Sequence, residues 1–299
     1  MSLATLLAPA TADAQAWVPP EGAGEVTIAF QRIDHTGHRL TDGTLIPKGT
    51  SLNRAVFVDV TYALTSHIVV SAALPYVFGK YTDPEPPPDF IPFLPIDSCR
   101  CWNSSAQDVT VAAHYNVLNG AFALTPSVGF VAPSHSYAYR GEAVVGRQLR
   151  ELRLGVAAGQ RLDLLTPRLS VQGGYTYAIV ERVLDIPNNR SNATVGVSYR
   201  FLRDLSAQGL VAWQRTHGGL RAGAAPPYRI AIPGEVNTPE RMEQHDRLLR
   251  DNSTHLGGSV SYQLPRFGVF AAFETFVSGT DTHAGRAITT GVSFPFERR

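Results

Sequence analysis

Nine histidines and two cysteines give this chain its widest chemical range. Asp34, His35 and His38 stand together, with Asp42 just behind. A spacing of three can bring two imidazoles onto one divalent ion where the chain turns there. No helix is predicted to hold that geometry, so a solvated loop is the simpler reading and no metal site is assigned. Cys99 and Cys101 lie two apart in a proline-rich stretch. In an oxidising compartment they can pair, although a Cys-x-Cys ring is tight. No histidine lies among their nearest neighbours to complete a soft-metal set, so the pair reads as a loop staple or as two idle thiols. Serine and histidine are common enough to supply a nucleophile and a base, yet no G-x-S-x-G stretch marks a nucleophile turn. No catalytic or cofactor-binding residue is therefore assigned, and the chain is expected not to be an enzyme.

The composition narrows the classes further. A formal net charge of +1 removes the electrostatic case for a nucleic-acid partner. Lys48 and Lys80 are the only lysines, so Arg carries nearly all the positive charge. No apolar run approaches the ~18–20 residues of a membrane helix. A β-barrel escapes that test, because its strands need an apolar residue only at every second position. Near the start, Leu6 and Leu7 lie in a short apolar stretch, and Ala14-Gln15-Ala16 is an A-x-A cleavage pattern before Trp17. Residues 1–16 are therefore expected to be the remnant of an export signal and residues 17–299 the barrel, although no Lys or Arg precedes Arg32.

The elements that must position any site are strands. Val56, Val58, Val60, Tyr62 and Leu64 alternate with Phe57, Asp59, Thr61 and Ala63. Ala193, Val195, Val197, Tyr199 and Phe201 alternate with Thr194, Gly196, Ser198 and Arg200, and the segments ending at Leu264 and Phe296 repeat the pattern. A period of two, with β-branched and aromatic residues on one face, marks strands with one wet side. Twelve such segments can be drawn: 24–32, 53–63, 67–79, 108–117, 121–132, 148–160, 165–180, 192–201, 205–216, 253–263, 268–277 and 286–296. Short connections such as Leu118-Asn119-Gly120 and Leu202-Arg203-Asp204 alternate with longer ones near 33–52, 80–107, 133–147, 181–191, 217–252 and 278–285. That alternation is what short periplasmic turns and long outer loops produce.

The apolar face carries no charge near the middle of a segment, where Arg or Lys against lipid would cost about 2–4 kcal/mol. A β-sandwich could show the same alternation with the faces reversed. The turn–loop rhythm, the export signal and the aromatic residues near strand ends favour a barrel. The predicted fold is all-β: a closed antiparallel transmembrane β-barrel of about 12 strands in the bacterial outer membrane. Its candidate pore-lining residues are Asp59, Asp108, His114, Arg153, Arg168, Gln172, Arg200, Gln208, His255, Gln263 and Glu274. Closing ~12 strands spaced ~4.8 Å and tilted ~40° gives a backbone radius of ~12 Å, which inward side chains reduce to a narrow passage.

Two outer connections stand out. Asp83-Pro84-Glu85-Pro86-Pro87-Pro88-Asp89 is stiff polyproline, and it leads into Phe90, Ile91, Phe93 and Leu94. This apolar cluster could fold over the pore mouth as a first contact for a hydrophobic solute, or pack on the rim or in lipopolysaccharide. Thr238-Pro239 ahead of Glu240-Arg241-Met242-Glu243 reads as a cap and first residue of a short helix.

Trp17-Val18-Pro19-Pro20-Glu21-Gly22, Thr61-Tyr62-Ala63-Leu64-Thr65-Ser66-His67 and Ala73-Leu74-Pro75-Tyr76-Val77 together resemble an outer-membrane family named for the meta-pathway of phenol degradation. Phe276-Val277-Ser278-Gly279 and the final Gly291-Val292-Ser293-Phe294-Pro295-Phe296 agree with it, while Ala63 stands where the family usually has a turn glycine. The resemblance implies an outer-membrane channel for small hydrophobic or aromatic molecules; the narrow lumen with its inward polar residues is expected to work by passive, selective diffusion, with no cofactor. The resemblance also implies recognition of the last strand by the barrel-assembly machinery, although Glu297, Arg298 and Arg299 follow the aromatic residue. Two alternatives stay open: a plugged structural barrel without transport, and an outer-membrane hydrolase with an active site at the rim.

Overall fold

A computed structural model describes residues 16–46, 51–81, 101–137, 147–221 and 244–297. Twelve long strands form one antiparallel sheet that closes on itself. In chain order they are β1 (Ala23–Arg39), β2 (Ser51–Ala63), β3 (Ile68–Tyr81), β4 (Asp108–Tyr115), β5 (Phe122–Pro133) and β6 (Glu151–Arg161). They continue as β7 (Leu169–Val180), β8 (Asn188–Arg200), β9 (Leu205–Gly218), β10 (Asn252–Gln263), β11 (Gly268–Thr280) and β12 (Thr282–Glu297). Each strand pairs with its sequence neighbours, and β12 returns to β1 in a register running from Ala23↔Glu297 to Arg39↔Thr282. Short strand pieces at Leu45–Ile46, Asn103–Ala106 and Leu118–Asn119 add to β1, β3 and β5.

The alternation resolves into two sides. Ile28, Phe30, Val58, Val60, Val195, Val197, Leu256, Val260 and Ile288 are exposed on the outside. Ala29, Ala55, Gln31, Asn53, Ala287 and Thr289, their neighbours in sequence or across the sheet, are buried on the inside. An apolar belt around a closed sheet, with polar groups within, inverts the order of a water-soluble core and matches a hydrocarbon surround. Aromatic pairs mark the short-turn end: Tyr62 stacks with Phe296 at 6.1 Å, and Phe267 approaches Phe294 at 6.3 Å.

The strands outrun the predicted segments at the long-loop end. The expected loop at 278–285 is a single residue, Asp281, in the left-handed region at φ 54°. Thr282, His283 and Ala284 are all buried, so there is no wet face and no alternation of polarity to follow. The expected loop at 181–191 gives up its last four residues, 188–191, to β8. It closes through a Val183↔Ile186 bridge around Leu184 and Asp185, whose φ values of 52° and 59° suit a two-residue primed turn. The region 244–252, expected to be loop, holds a short helix, His245–Leu248; the Thr238 cap predicted for a helix lies outside the described residues.

Candidate functional site: the barrel lumen

Period-two geometry places Asp59 on the inner face of β2, between Thr27 on β1 and Ala73 on β3. His114 on β4 lies half-buried, with Nε2 3.3 Å from the Ser71 hydroxyl. Gln172 is buried on β7, and Gln208 on β9, across from Ser198, lays its half-buried side chain over Gly196, its amide nitrogen 2.7 Å from where a Cβ would stand. Arg153 donates to Glu151 at 3.0 Å. His255 on β10 and Glu274 on β11 are both buried, with Nδ1 3.1 Å from Oε1 but off the hydrogen-bond line. Nearby, Gln31 donates to Thr289 at 3.1 Å across the β1–β12 seam.

Other candidates fall at the ends of the wall. Arg168 precedes β7 in a turn and donates to the Phe201 carbonyl at 3.3 Å, so it stands at the rim and not within a strand as predicted. The expected strand was drawn from residue 165, but Leu162, Asp163, Leu164, Leu165 and Thr166 form a turn closed by Leu165 N–H and Thr166 N–H on the Leu162 carbonyl. Arg200 and Gln263 end β8 and β10, exposed at the same short-turn end. Asp108 opens β4 at the opposite end. It accepts from the Tyr137 hydroxyl at 2.5 Å and from Arg147 N–H at 2.9 Å, so it anchors a loop. Burial, then the Asp108 carboxylate, push the Tyr137 phenol up, keeping it protonated as a donor.

A charged layer that the sequence reading missed lies above the lumen. Glu151 pairs with the buried Arg190 as well as with Arg153. Arg147 donates to Asp251 at 2.8 Å and to the Leu249 carbonyl at 3.2 Å. Asp251 also accepts from Gln214 at 2.9 Å and from the Thr282 hydroxyl. Arg247 reaches back to the Arg147 carbonyl at 3.0 Å and to the Gln148 carbonyl. The connection before β10 is thereby strapped to the connection before β6. Beneath the straps, Leu248, Leu220 and Leu149 pack on Ala178, Val180 and Ile186 as one apolar cluster. The result is a cap, charged at its seams and apolar at its centre, over one side of the mouth.

The short-turn mouth is crossed too. The Ala16 carbonyl accepts from Thr125 at 2.7 Å and from Asn116 at 3.2 Å, and Trp17 Nε1 donates to the Gly120 carbonyl at 2.9 Å. The Trp17 ring lies against Gly159, where an added Cβ would stand 2.5 Å from it. The chain then runs from β4–β6 over to β1, about a third of the way around the ring of strands.

Of the other chemistry-bearing residues, His35 and His38 both approach His283, the His35 ring at 5.6 Å, while Asp34 is turned away from them. Asp34 faces outward, whereas His35 is buried inside, because they are adjacent in an extended strand. A bulge between His35 and Gly37 shifts the register, and His38 then lies 4.3 Å ring to ring from His283. Ser191 and His217 do meet, Oγ to Nε2 at 2.7 Å, with the Tyr175 hydroxyl 2.9 Å from Oγ, but on the outer face of β7–β9. Cys101 is disulfide-bonded. Cys99 and the apolar cluster Phe90, Ile91, Phe93 and Leu94 lie outside the described residues.

No family model matches the chain, and no curated protein matches its sequence. Solved structures do match its shape. The crystal structure of the COG4313 outer membrane channel from Pseudomonas putida F1 aligns with a TM-score of 0.68 at 12% identity, over 95% of this chain and 98% of that one. The translocator domain of autotransporter NalP from Neisseria meningitidis follows at TM-score 0.52 and 10% identity, covering 92% and 88%. The β domain of the Bordetella autotransporter BrkA gives 0.50 at 11%, covering 92% and 100%. At such identities the likeness is one of fold: this chain has the architecture of outer-membrane β-barrels.

Proposed function

We propose that this chain is a non-enzymatic outer-membrane channel for passive entry of small molecules, in the family named for the meta-pathway of phenol degradation. The observation that carries the reading is the two-sidedness of a closed barrel, apolar outside and lined within by Asp59, His114 and Arg153. Its solutes are proposed to be small hydrophobic or aromatic compounds. The cap supports this: its centre is an apolar cluster of Leu149, Leu220 and Leu248, buried while the cap is closed and uncovered at the mouth when it opens. Movement is down the gradient and needs no cofactor. Phe294 and Phe296 on the closing strand are proposed as the signal read by the assembly machinery.

Reconstituted protein should raise vesicle permeability to a panel of phenols and alkylbenzenes more than to sugars of similar size. Correctly folded protein that passes neither class, even with the cap loosened, would end the channel reading. The constriction at both mouths would then favour the second reading, a plugged structural barrel.

A further inference from the structure

Four cations stand side by side on the outside of the barrel at its long-loop end. Arg286 on β12, Arg32 on β1, Arg54 on β2 and Lys80 on β3 occupy four consecutive strands. Alternation turns all four outward, in step with the exposed Ile288, Phe30, Val58 and Tyr76 below them. Arg32 lies directly across from Arg54, and Asp34 lies across from Arg286 on one side and Leu52 on the other; Leu52 in turn faces Lys80. Asp34 holds Arg32 Nε at 3.0 Å and stands 3.9 Å from Arg286 Nε. The side chains of Arg32 and Arg286 nevertheless remain 52% and 66% exposed. The Arg54 guanidinium lies 4.8 Å over the Trp102 ring, which fixes its plane while leaving its edge open.

Like charges directly opposite on neighbouring strands repel unless an anion lies between them. Among the described residues of this face, one carboxylate stands with four cations, which leaves it net positive. Its height matters as much as its charge. From Phe296 in the short-turn aromatic belt to Arg286 is ten residues along β12. At ~3.3 Å per residue and ~40° tilt that is ~25 Å, the height of an outer-membrane apolar band. The cations therefore sit where the outer leaflet's hydrocarbon ends and its headgroups begin. Guanidinium forks match phosphate oxygens in pairs, and several can share one phosphate.

We infer that Arg32, Arg54, Lys80 and Arg286 form a binding site for the phosphate groups of outer-leaflet lipopolysaccharide, whose acyl chains lie on the apolar strand faces below. The inference rests on the outer-membrane reading and not on what the barrel transports.

The test titrates detergent-solubilised full-length protein with deep-rough lipopolysaccharide and counts bound lipid by native mass spectrometry. The triple variant Arg32→Gln/Arg54→Gln/Arg286→Gln should bind at least tenfold more weakly, while Arg150→Gln on the far side of the barrel should bind as the parent does. Lipid A stripped of its phosphates should bind the parent no better than intact lipid binds the triple variant. Equal binding by parent and triple variant would overturn the site. Equal binding of phosphatidylglycerol, or displacement by millimolar inorganic phosphate, would overturn lipopolysaccharide as its occupant. Heat-modifiable gel mobility reports folding; should the triple variant fail it, Arg54→Gln and the parent's loss of binding with rising salt decide the matter. Recovery of the protein from a fraction other than the outer membrane would sink the localisation while leaving the binding result readable.

Discussion

Releasing the cap is the sharpest way to learn whether it governs access to the lumen. Asp251→Asn removes the charge that faces Arg147, whose side chain is 2% exposed. A buried guanidinium left without its carboxylate costs about 3–5 kcal/mol, mostly as desolvation no longer offset. At tenfold per ~1.4 kcal/mol, the capped-to-open ratio should fall by roughly two to three and a half orders of magnitude. Ala178 supplies the reporter: it is buried on the lumen side of β7 against the cluster that contains Leu248. With no free cysteine among the described residues, Ala178→Cys introduces a thiol whose reaction with dithiodipyridine tracks the open population. The rate in the Asp251→Asn background should rise by two orders of magnitude or more, with gel mobility still that of a folded barrel.

Acid should open the same clasp. Burial alone would raise the Asp251 pKa, but the Arg147 guanidinium, other nearby positive charge including His283, and the Thr282 hydroxyl together outweigh it and hold the carboxyl at about 2. A carboxyl depressed from 3.8 stabilises the capped state fully above about pH 4, and that stability is lost as pH falls through the lower value. Labelling, corrected for thiol reactivity against the unfolded chain, should stay flat from pH 8 to 5 and climb below pH 4. Equal rates with and without Asp251→Asn, or loosening already at pH 6, would refute the clasp.

Three further outcomes follow from the same geometry. Asp59→Asn removes a negative charge from the half-buried inner face of β2 and should shift the reversal potential in a potassium chloride gradient toward anion preference; an unchanged potential would place ion flow elsewhere. Gly159→Val puts side-chain atoms where the Trp17 ring lies, so the N-terminal segment should be displaced from the short-turn mouth and single-channel conductance should rise. Val195→Arg on the exposed outer face of β8 should cost about 2–4 kcal/mol in vesicle folding titrations, whereas Thr194→Arg on the inner face should cost much less.

The strand count and the two faces were legible in the sequence because lipid imposes a one-residue rule: outward residues in the belt are mostly apolar and none near its middle is charged. Val56 to Leu64 obeys it, and β2 follows that pattern. The rule lapses where the strands rise past the hydrocarbon. Arg32, Arg54 and Arg286 then occupy the outward positions, and Thr282, His283 and Ala284 are all buried. Polarity there carries no period, so the β11–β12 connection read as a loop although Asp281 alone turns it.

Parity survives where hydrophobicity fails, and it recovers part of the missed site. Counting back by twos from the inward Ser198 and Thr194 reaches Arg190 and Asn188, both buried. Counting back from Arg153 reaches Glu151, the partner of Arg190. Spacing alone thus turns both partners of that ion pair inward, while their meeting across β7 needs the register of three strands. The clasp between Arg147 and Asp251 has no such signal. It joins residues 104 apart in two connections with no repeating pattern, and only the closure of the barrel brings those connections over the same mouth. What alternation can encode is the wall; the contacts that hold the cap over its mouth are made by segments outside it.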